Sequence, residues 1–212
     1  MFDNLLFDLD GTLTDSFDGI TNSVLYALKK MGEKLPAKEE LRFFIGPPLS
    51  ESFAVLFGGD TEKAELAVKN YREYYSVTGL LENRVYDGVE QTLKTLKDMG
   101  KRLFVATSKP EKFSVRIAEH FGLTKYIERV FGASFDSSRD TKDKVIAYAL
   151  GEAGLSKDKT VMIGDRHHDI DGAKANGLKS VGVLYGYGNY DELSSAGADF
   201  IVETPKEIVE II

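Results

Sequence analysis

The chain contains no cysteine, which excludes disulfides and thiolate metal sites and suits a reducing, cytoplasmic setting. It has no apolar run close to the ~20 residues that a membrane-spanning helix needs, so no membrane partner is expected. The opening residues, Met1-Phe2-Asp3-Asn4, lack the basic start and apolar centre of a secretion signal. Lys and Arg number 27 against 34 Asp and Glu, a formal net charge of −7. No Lys/Arg run offsets that balance, and a nucleic-acid partner is not expected. Internal repeats and low-complexity tracts are also missing. What remains is 212 residues, 42% hydrophobic and 29% charged. That is ordinary for a globular protein and enough for one large domain or a domain with an insertion.

The most informative stretch is Asn4-Leu5-Leu6-Phe7-Asp8-Leu9-Asp10-Gly11-Thr12-Leu13-Thr14-Asp15-Ser16. Leu5-Leu6-Phe7 is the kind of short apolar run that a buried parallel strand shows. Residues two apart in an extended chain point the same way, so Asp8 and Asp10 converge where the strand ends. Two converging carboxylates repel unless a cation joins them or one keeps its proton. Three uses follow: a Mg²⁺ site, a nucleophile with an acid/base partner, or both. Gly11 permits the positive φ and close backbone approach of a phosphate-cradling turn. An acidic turn after a strand is the plain alternative, since Asp and Gly are ordinary turn residues.

After this stretch, Phe17, Ile20, Val24, Leu28 and Met31 recur at helical spacing, with Ser16 as N-cap and Gly32 as stop. A second helix is expected over Lys38 to Phe44, ended by Pro47 and Pro48, and two more over Leu49 to Phe57 and Thr61 to Tyr75. From Tyr86 onward strand and helix alternate. Strands are expected at Leu103–Ala106, Tyr126–Ala133, Thr160–Ile163, Ser180–Val183 and Asp199–Val202. Helices are expected after Gly88, after Pro110, over Lys142 to Ala153, through Ala173-Lys174-Ala175 and after Pro205. Such alternation signals a parallel sheet wound on both faces, with ligands beyond the carboxyl ends of the strands. Asp8, Thr107 and Asp165 each fall where an expected strand stops.

Asp8-Leu9-Asp10-Gly11-Thr12-Leu13-Thr14-Asp15-Ser16 resembles the first signature of the haloacid dehalogenase superfamily, in its aspartate-nucleophile phosphatase branch. Gly164-Asp165-Arg166-His167-His168-Asp169, after Val161-Met162-Ile163, resembles the fourth, G-D-x-x-x-D. Thr107 resembles the second, a Ser or Thr at a strand end, with Ser108 beside it as a phosphate contact or helix cap. The third is a lysine that neutralises phosphate and nucleophile. Lys142 and Lys144 both qualify, the K-P-x-P context of many relatives is absent, and Lys142 at the helix start is preferred. The resemblance spans nearly the whole chain, in its phosphoglycolate phosphatase-like group. It implies an α/β class, with a doubly wound, Rossmann-like core over residues 1–15 and 84–212. A small all-helical cap would occupy residues 16–83.

The resemblance further implies a Mg²⁺-dependent phosphatase acting on a small phosphate ester through an aspartyl-phosphate. Asp8 would be the nucleophile and Asp10 the acid and base. Asp8, the Asp10 carbonyl and Asp165 would hold Mg²⁺, with Asp169 behind them binding a metal water or Lys142, or capping its helix. Thr107, Ser108, Lys142 and the amides of the Leu9–Gly11 turn would bind phosphate. Arg42 and the Gly46 loop are candidate substrate contacts in the cap. A sugar phosphomutase on the same scaffold is the alternative, and a phospho-receiver-like binding module a second one. Dehalogenase chemistry is disfavoured because those relatives lack the second aspartate. His167 and His168 are expected in a loop, without a metal role, and His120 at a helix end. The stretch Tyr185 to Tyr190 is expected to be a packed, glycine-hinged loop at the sheet edge. A monomer or homodimer is expected.

Overall fold

The computed structural model describes residues 2–136 and 138–212; Met1, where the expected core span begins, lies outside them. The chain divides into two compact units, one formed by the residues up to Asp15 together with Val85–Ile212, the other by Ser16–Arg84. From the amino terminus, β1 (Asn4–Phe7) leads through a turn to the short β2 (Thr14–Asp15). Then come α1 (Phe17–Lys30), a 3₁₀ segment over Lys38–Phe44, α2 (Leu49–Leu56), α3 (Thr61–Tyr75) and a 3₁₀ turn at Gly79–Leu81. The chain returns through β3 (Arg84–Val85), which pairs with β2.

Strand and helix alternate from there: α4 (Val89–Asp98), β4 (Arg102–Pro110), α5 (Glu111–His120), β5 (Arg129–Ala133) and α6 (Lys142–Ala153). The second half holds β6 (Thr160–Gly164), α7 (His167–Ala175), β7 (Lys179–Val183), α8 (Tyr190–Ala196), β8 (Phe200–Val202) and α9 (Pro205–Ile211). No helix among the described residues is long and apolar enough to cross a membrane.

The sheet runs β5-β4-β1-β6-β7-β8, with every pair parallel. β1 lies at its centre, Leu6 standing opposite Phe104 on one side and Met162 on the other. On one face Leu6, Phe104, Ala106, Phe131 and Met162 cluster with Val145, Ile146 and Ala149 of α6 and Ala173 of α7. The residues between them, Leu5, Phe7, Val105, Val161 and Ile163, are equally buried. Both faces are therefore covered, which is why these strands read as continuous apolar runs and not as alternating ones. The chain goes from β1 to β4 on one side and later to β6 on the other. That reversal makes the carboxyl ends of β1, β4 and β6 a topological switch point.

Two local expectations change. β4 does not stop at Ala106. Its pairing with β5 jumps from Ala106 opposite Phe131 to Pro110 opposite Ala133, so Thr107 sits inside an irregular extension of the strand, not at its end. Only a glycine fits opposite that extension, because a Cβ on Gly132 would lie 2.6 Å from the Glu111 amide nitrogen and 2.7 Å from the Lys109 carbonyl. The short helix expected over Lys38–Phe44 is present with those bounds, in 3₁₀ form. Ser16 occupies the N-cap of α1 but its side chain makes no capping bond, since its φ and ψ of −94° and 11° are not those of an extended N-cap.

The helical unit has its own core. Phe44 meets Phe53 edge-on at 4.8 Å between ring centroids, Phe53 meets Tyr71 at 6.4 Å, and Tyr71 stacks on Tyr75 at 5.1 Å. Its 14-residue α1 buries Ile20, Val24 and Leu28 of the periodic face read from sequence, with Ala27 beside them, while Phe17 and Met31 of that face are only partly buried.

Met162 is fully buried between β1 and β7. Met162→Ala should cost about 2–5 kcal/mol through lost transfer energy and the cavity left behind. Val55→Ala, at a position 73% exposed, should stay within about 0.5 kcal/mol. Urea titration of both variants checks the contrast.

Candidate active site

β1 delivers Asp8 by its last bonded step: the Asp8 amide donates to the Ile163 carbonyl at 2.9 Å. The chain then folds back tightly. Leu13 and Thr14 both donate to the Leu9 carbonyl at 2.9 Å, and Gly11 donates to the Thr14 carbonyl at 2.8 Å. Gly11 has φ +84°, and a Cβ there would meet the carboxylate of Asp165. The turn therefore sits directly against the end of β6, where Gly164 is followed by Asp165.

Asp165 is fully buried. Thr12 Oγ1 donates to its Oδ1 at 3.3 Å and the Tyr187 amide to its Oδ2 at 2.8 Å. Burial, followed by the charges of Asp169 and Asp8, pushes its pKa well above the ordinary carboxylate range against the pull of the Tyr187 amide. Asp169 lies in the first turn of α7 and is also buried. Its Oδ2 accepts from the Arg166 amide at 3.2 Å, the return half of a capping box, so it does cap its helix. This bond starts the helix at His167, and both His167 and His168 are helical, not loop residues as expected.

Lys142, the first residue of α6, reaches inward with only 4% of its side chain exposed. Its Nζ lies 2.8 Å from Asp8 Oδ1 and 2.7 Å from Asp169 Oδ1, and it donates to the Ala106 carbonyl at 3.1 Å. Burial lowers the pKa of Lys142, but Asp169 and Asp8 outweigh it and hold the ammonium above its ordinary range. Burial raises Asp169 to about 6, opposed by Lys142. Lys144, the rival from sequence, is on the surface in an i,i+4 pair with Asp140 at 2.9 Å.

Asp8, Asp165 and Asp169 each present an oxygen within 4.8 Å of the others, an arrangement able to hold a metal ion. Their oxygens suit a hard cation such as Mg²⁺. Asp10 points elsewhere: its Oδ2 accepts from Lys109, which the sequence reading missed, while its buried Oδ1 has no hydrogen-bond partner among the described residues. Thr107 is 2% exposed, and its Oγ1 accepts from the Lys109 amide at 3.3 Å. Ser108 beside it is half-buried.

Other expected and unexpected residues fall into place around this cluster. His167 Nδ1 and its amide both meet Glu192 Oε1, at 2.8 and 2.9 Å, and Arg166 Nε donates to the same oxygen at 2.8 Å. His168 is half-buried; desolvation, then the charge of His167, lowers its pKa. His120 ends α5 as expected. The Tyr185–Tyr190 stretch rests on Asp165 itself, a role sequence reasoning did not assign. Arg42 and Gly46 belong to the helical unit. Arg42 is exposed, its guanidinium 5.3 Å from the Phe17 ring centroid, and Gly46 has φ +108°.

Removing Lys142 should cost about 3–5 kcal/mol, the penalty for stranding buried charge. The pH sign follows from Asp169. A folded-state pKa above the unfolded value contributes stability below about pH 4 and loses it as pH rises through about 6. Without the cation that pKa climbs further, so Lys142→Met should be more destabilised relative to wild type at pH 8 than at pH 5. Melting curves at the two pH values check this, with Lys144→Met as a near-neutral control; an equal deficit at both would refute the coupling.

The sequence profile of the haloacid dehalogenase-like hydrolases matches residues 5–183. The chain is 46% identical over 192 residues to a 5'-nucleotidase of Pseudomonas aeruginosa, covering 91% of this chain and 87% of that one. It is 42% identical over 205 residues to the tyrosine-protein kinase PtkA of Mycobacterium tuberculosis, covering 97% of this chain and 67% of that one. A solved structure of a predicted phosphatase from Clostridium acetobutylicum superimposes with a TM-score of 0.93 at 46% identity, over 99% of each chain. The match over most of the chain, joined to a parallel sheet whose central strand leads directly into Asp8, assigns the protein to the haloacid dehalogenase-like hydrolase family.

Proposed function

We propose that the protein is a Mg²⁺-dependent phosphatase of small phosphate monoesters, acting through a phosphoaspartyl intermediate on Asp8. The observation that carries this reading is the separation of two neighbouring carboxylates. Asp8 faces Lys142 within the three-carboxylate cluster, while Asp10 faces Lys109. Asp8 stands beside the cation site as a nucleophile would, and Asp10, held apart from that cluster, is left to exchange protons. Asp8, Asp165 and the Asp10 carbonyl would hold the Mg²⁺. When bound, the ion screens charge on the carboxylates and on the transferring phosphoryl group.

The chain's own groups do the rest. An Asp8 oxygen attacks phosphorus as the ester oxygen departs, and Asp10 in its acid form protonates that oxygen. Asp10, now ionised and paired with Lys109, then takes a proton from the water that attacks the phosphoaspartate, releasing phosphate and restoring Asp8. Thr107, Ser108, Lys142 and the amides of Leu9 and Asp10 bind the phosphoryl oxygens. The Gly11 amide is already engaged with Thr14 and is not counted among them. Asp169 positions Lys142 and caps α7.

The 5'-nucleotidase relative supports a nucleoside 5'-monophosphate as substrate, ahead of phosphoglycolate. The helical unit, with Arg42 and Gly46, is proposed to select the ester. An absence of cysteine fits a reducing compartment, and a monomer or homodimer would suffice because the proposed chemistry draws on a single chain.

The test is a phosphate-release panel of nucleoside monophosphates, phosphoglycolate and glucose 1-phosphate in Mg²⁺. A sugar phosphomutase would isomerise glucose 1-phosphate without releasing phosphate. A kinase like the relative's name would move the γ-phosphoryl of ATP to a protein acceptor. Either result would displace the phosphatase reading. EDTA should abolish turnover and Mg²⁺ restore it. Asp8→Asn should release no phosphate and keep the fold.

Asp10→Asn keeps the backbone carbonyl but loses proton transfer, so turnover should fall by about 10²–10⁴. The loss should be smaller in the first step with p-nitrophenyl phosphate, whose leaving oxygen needs little protonation. A burst of p-nitrophenol should then precede a slow steady state. Rapid-quench kinetics measures both, and equal losses on an alkyl ester and p-nitrophenyl phosphate without a burst would assign Asp10 a structural role.

A further inference from the structure

The loop that follows β7 lies on the cation site, yet the chemistry above gives it no task. A Cβ on Gly186 would meet the Gly11 carbonyl and the Asp165 side chain, and a Cβ on Gly188 would meet the Asp165 carbonyl. With glycine on either side, the backbone approaches closely enough for the Tyr187 amide to reach Asp165 Oδ2 at 2.8 Å. The side chain of Tyr187 runs the other way, and its hydroxyl donates to Asp15 Oδ1 at 2.7 Å. Asp15 is the residue at which the chain leaves the first unit, and Val85 the one at which it returns. Tyr86, next after Val85, donates its amide to the Leu13 carbonyl at 3.2 Å, and its ring meets Tyr185 edge-on at 5.5 Å.

Asp165 needs such a hold. It is buried beside Asp8 and Asp169, whose charges repel it, and its other donor, Thr12 Oγ1, stands at a long 3.3 Å. A backbone amide can direct a carboxylate only as firmly as its loop is anchored. The Tyr187 hydroxyl on Asp15 is a polar anchor of the loop on β2.

We propose that Tyr187 is a positioning residue for the metal carboxylate Asp165, tethering it through the hydroxyl bond to Asp15 at the strand where the chain leaves the core. This rests on the Mg²⁺ reading of the site. The tether sets how ready Asp165 is to accept the ion. It does not touch the reacting atoms, so its loss weakens metal binding and leaves turnover at saturating Mg²⁺ near wild type.

Isothermal titration of Mg²⁺ into the EDTA-stripped full chain tests this directly, in wild type, Tyr187→Phe, Asp15→Ala and the double variant. Tyr187→Phe keeps the amide and loses only the hydroxyl, and should weaken Mg²⁺ binding by about tenfold, within the range for groups that orient a metal ligand. Asp15→Ala should match it. The double variant should bind no more weakly than either single one, because both remove the same bond. Tyr190→Phe, at a residue 59% exposed, should bind as wild type. Wild-type Mg²⁺ affinity in Tyr187→Phe, or losses that multiply in the double variant, would overturn the tether alone. A wild-type protein that binds no Mg²⁺ would overturn the metal reading and the tether with it. Circular dichroism and urea midpoints confirm folding, and should Tyr187→Phe prove unstable, Asp15→Ala carries the test.

Discussion

The Lys142 ammonium, buried between Asp8 and Asp169, is the interaction on which the site depends, because it joins three segments distant in sequence. Asp8 directly follows β1, Lys142 opens α6, and Asp169 caps α7. Burying a charge is costly unless it is paired and hydrogen-bonded. Lys142 meets both conditions through two carboxylates and the Ala106 carbonyl. The carboxylates do not. Three of them are gathered around one ammonium, which pairs with only Asp8 and Asp169, leaving two negative charges if all ionise, in magnitude the charge of one divalent cation. Burial first, and then the charges of Asp169 and Asp8, raise the pKa of Asp165, the member of the cluster without the lysine.

The turn after β1 gives its two aspartates different neighbours despite their spacing. In a continuing strand they would share one environment, as side chains two apart do. The strand ends at Phe7, however, and the fold-back onto the Leu9 carbonyl redirects the chain. Asp8 stays with β6 and α6, while Asp10 turns toward the irregular extension of β4 that carries Lys109. That extension exists because β5 offers Gly132 there, against which the strand can bend. A feature of strand pairing thus decides which cation each carboxylate meets.

The sequence made the elements legible wherever the signal was local. β1, β6 and α6 were read from apolar runs, helical spacing and stop residues, and the Lys142–Ala153 helix has the bounds expected of it. Gly11, Asp165 and Asp169 could be marked because short spacings carry them. Lys109 with Asp10 could not, since the partners are 99 positions apart and nothing periodic links them. The same holds for Tyr187 on Asp165 and Asp15, 22 and 172 positions away. The two histidines were misjudged because the helix start depends on a side-chain bond, Asp169 to the Arg166 amide. The extent of β4 depends on what its neighbour strand lacks, and that is invisible in β4 itself.

Space is the final constraint on the site, and glycine supplies it. A Cβ at Gly11 or Gly186 would collide with the Asp165 side chain, one at Gly164 with Asp169, and one at Gly172 would lie 2.8 Å from Lys142 Cγ. These glycines come from different turns and helices, yet each clears room for a charged side chain. Backbone packed this closely leaves each such side chain few rotamers, so the charges are oriented before any ligand arrives. Preorganisation of that kind favours both metal binding and stabilisation of a charged transition state, because little reorganisation is left to occur during reaction. It also explains why the cluster can hold mutually repelling carboxylates at all: the folding energy of the sheet keeps them in place, and the glycines let the sheet close around them.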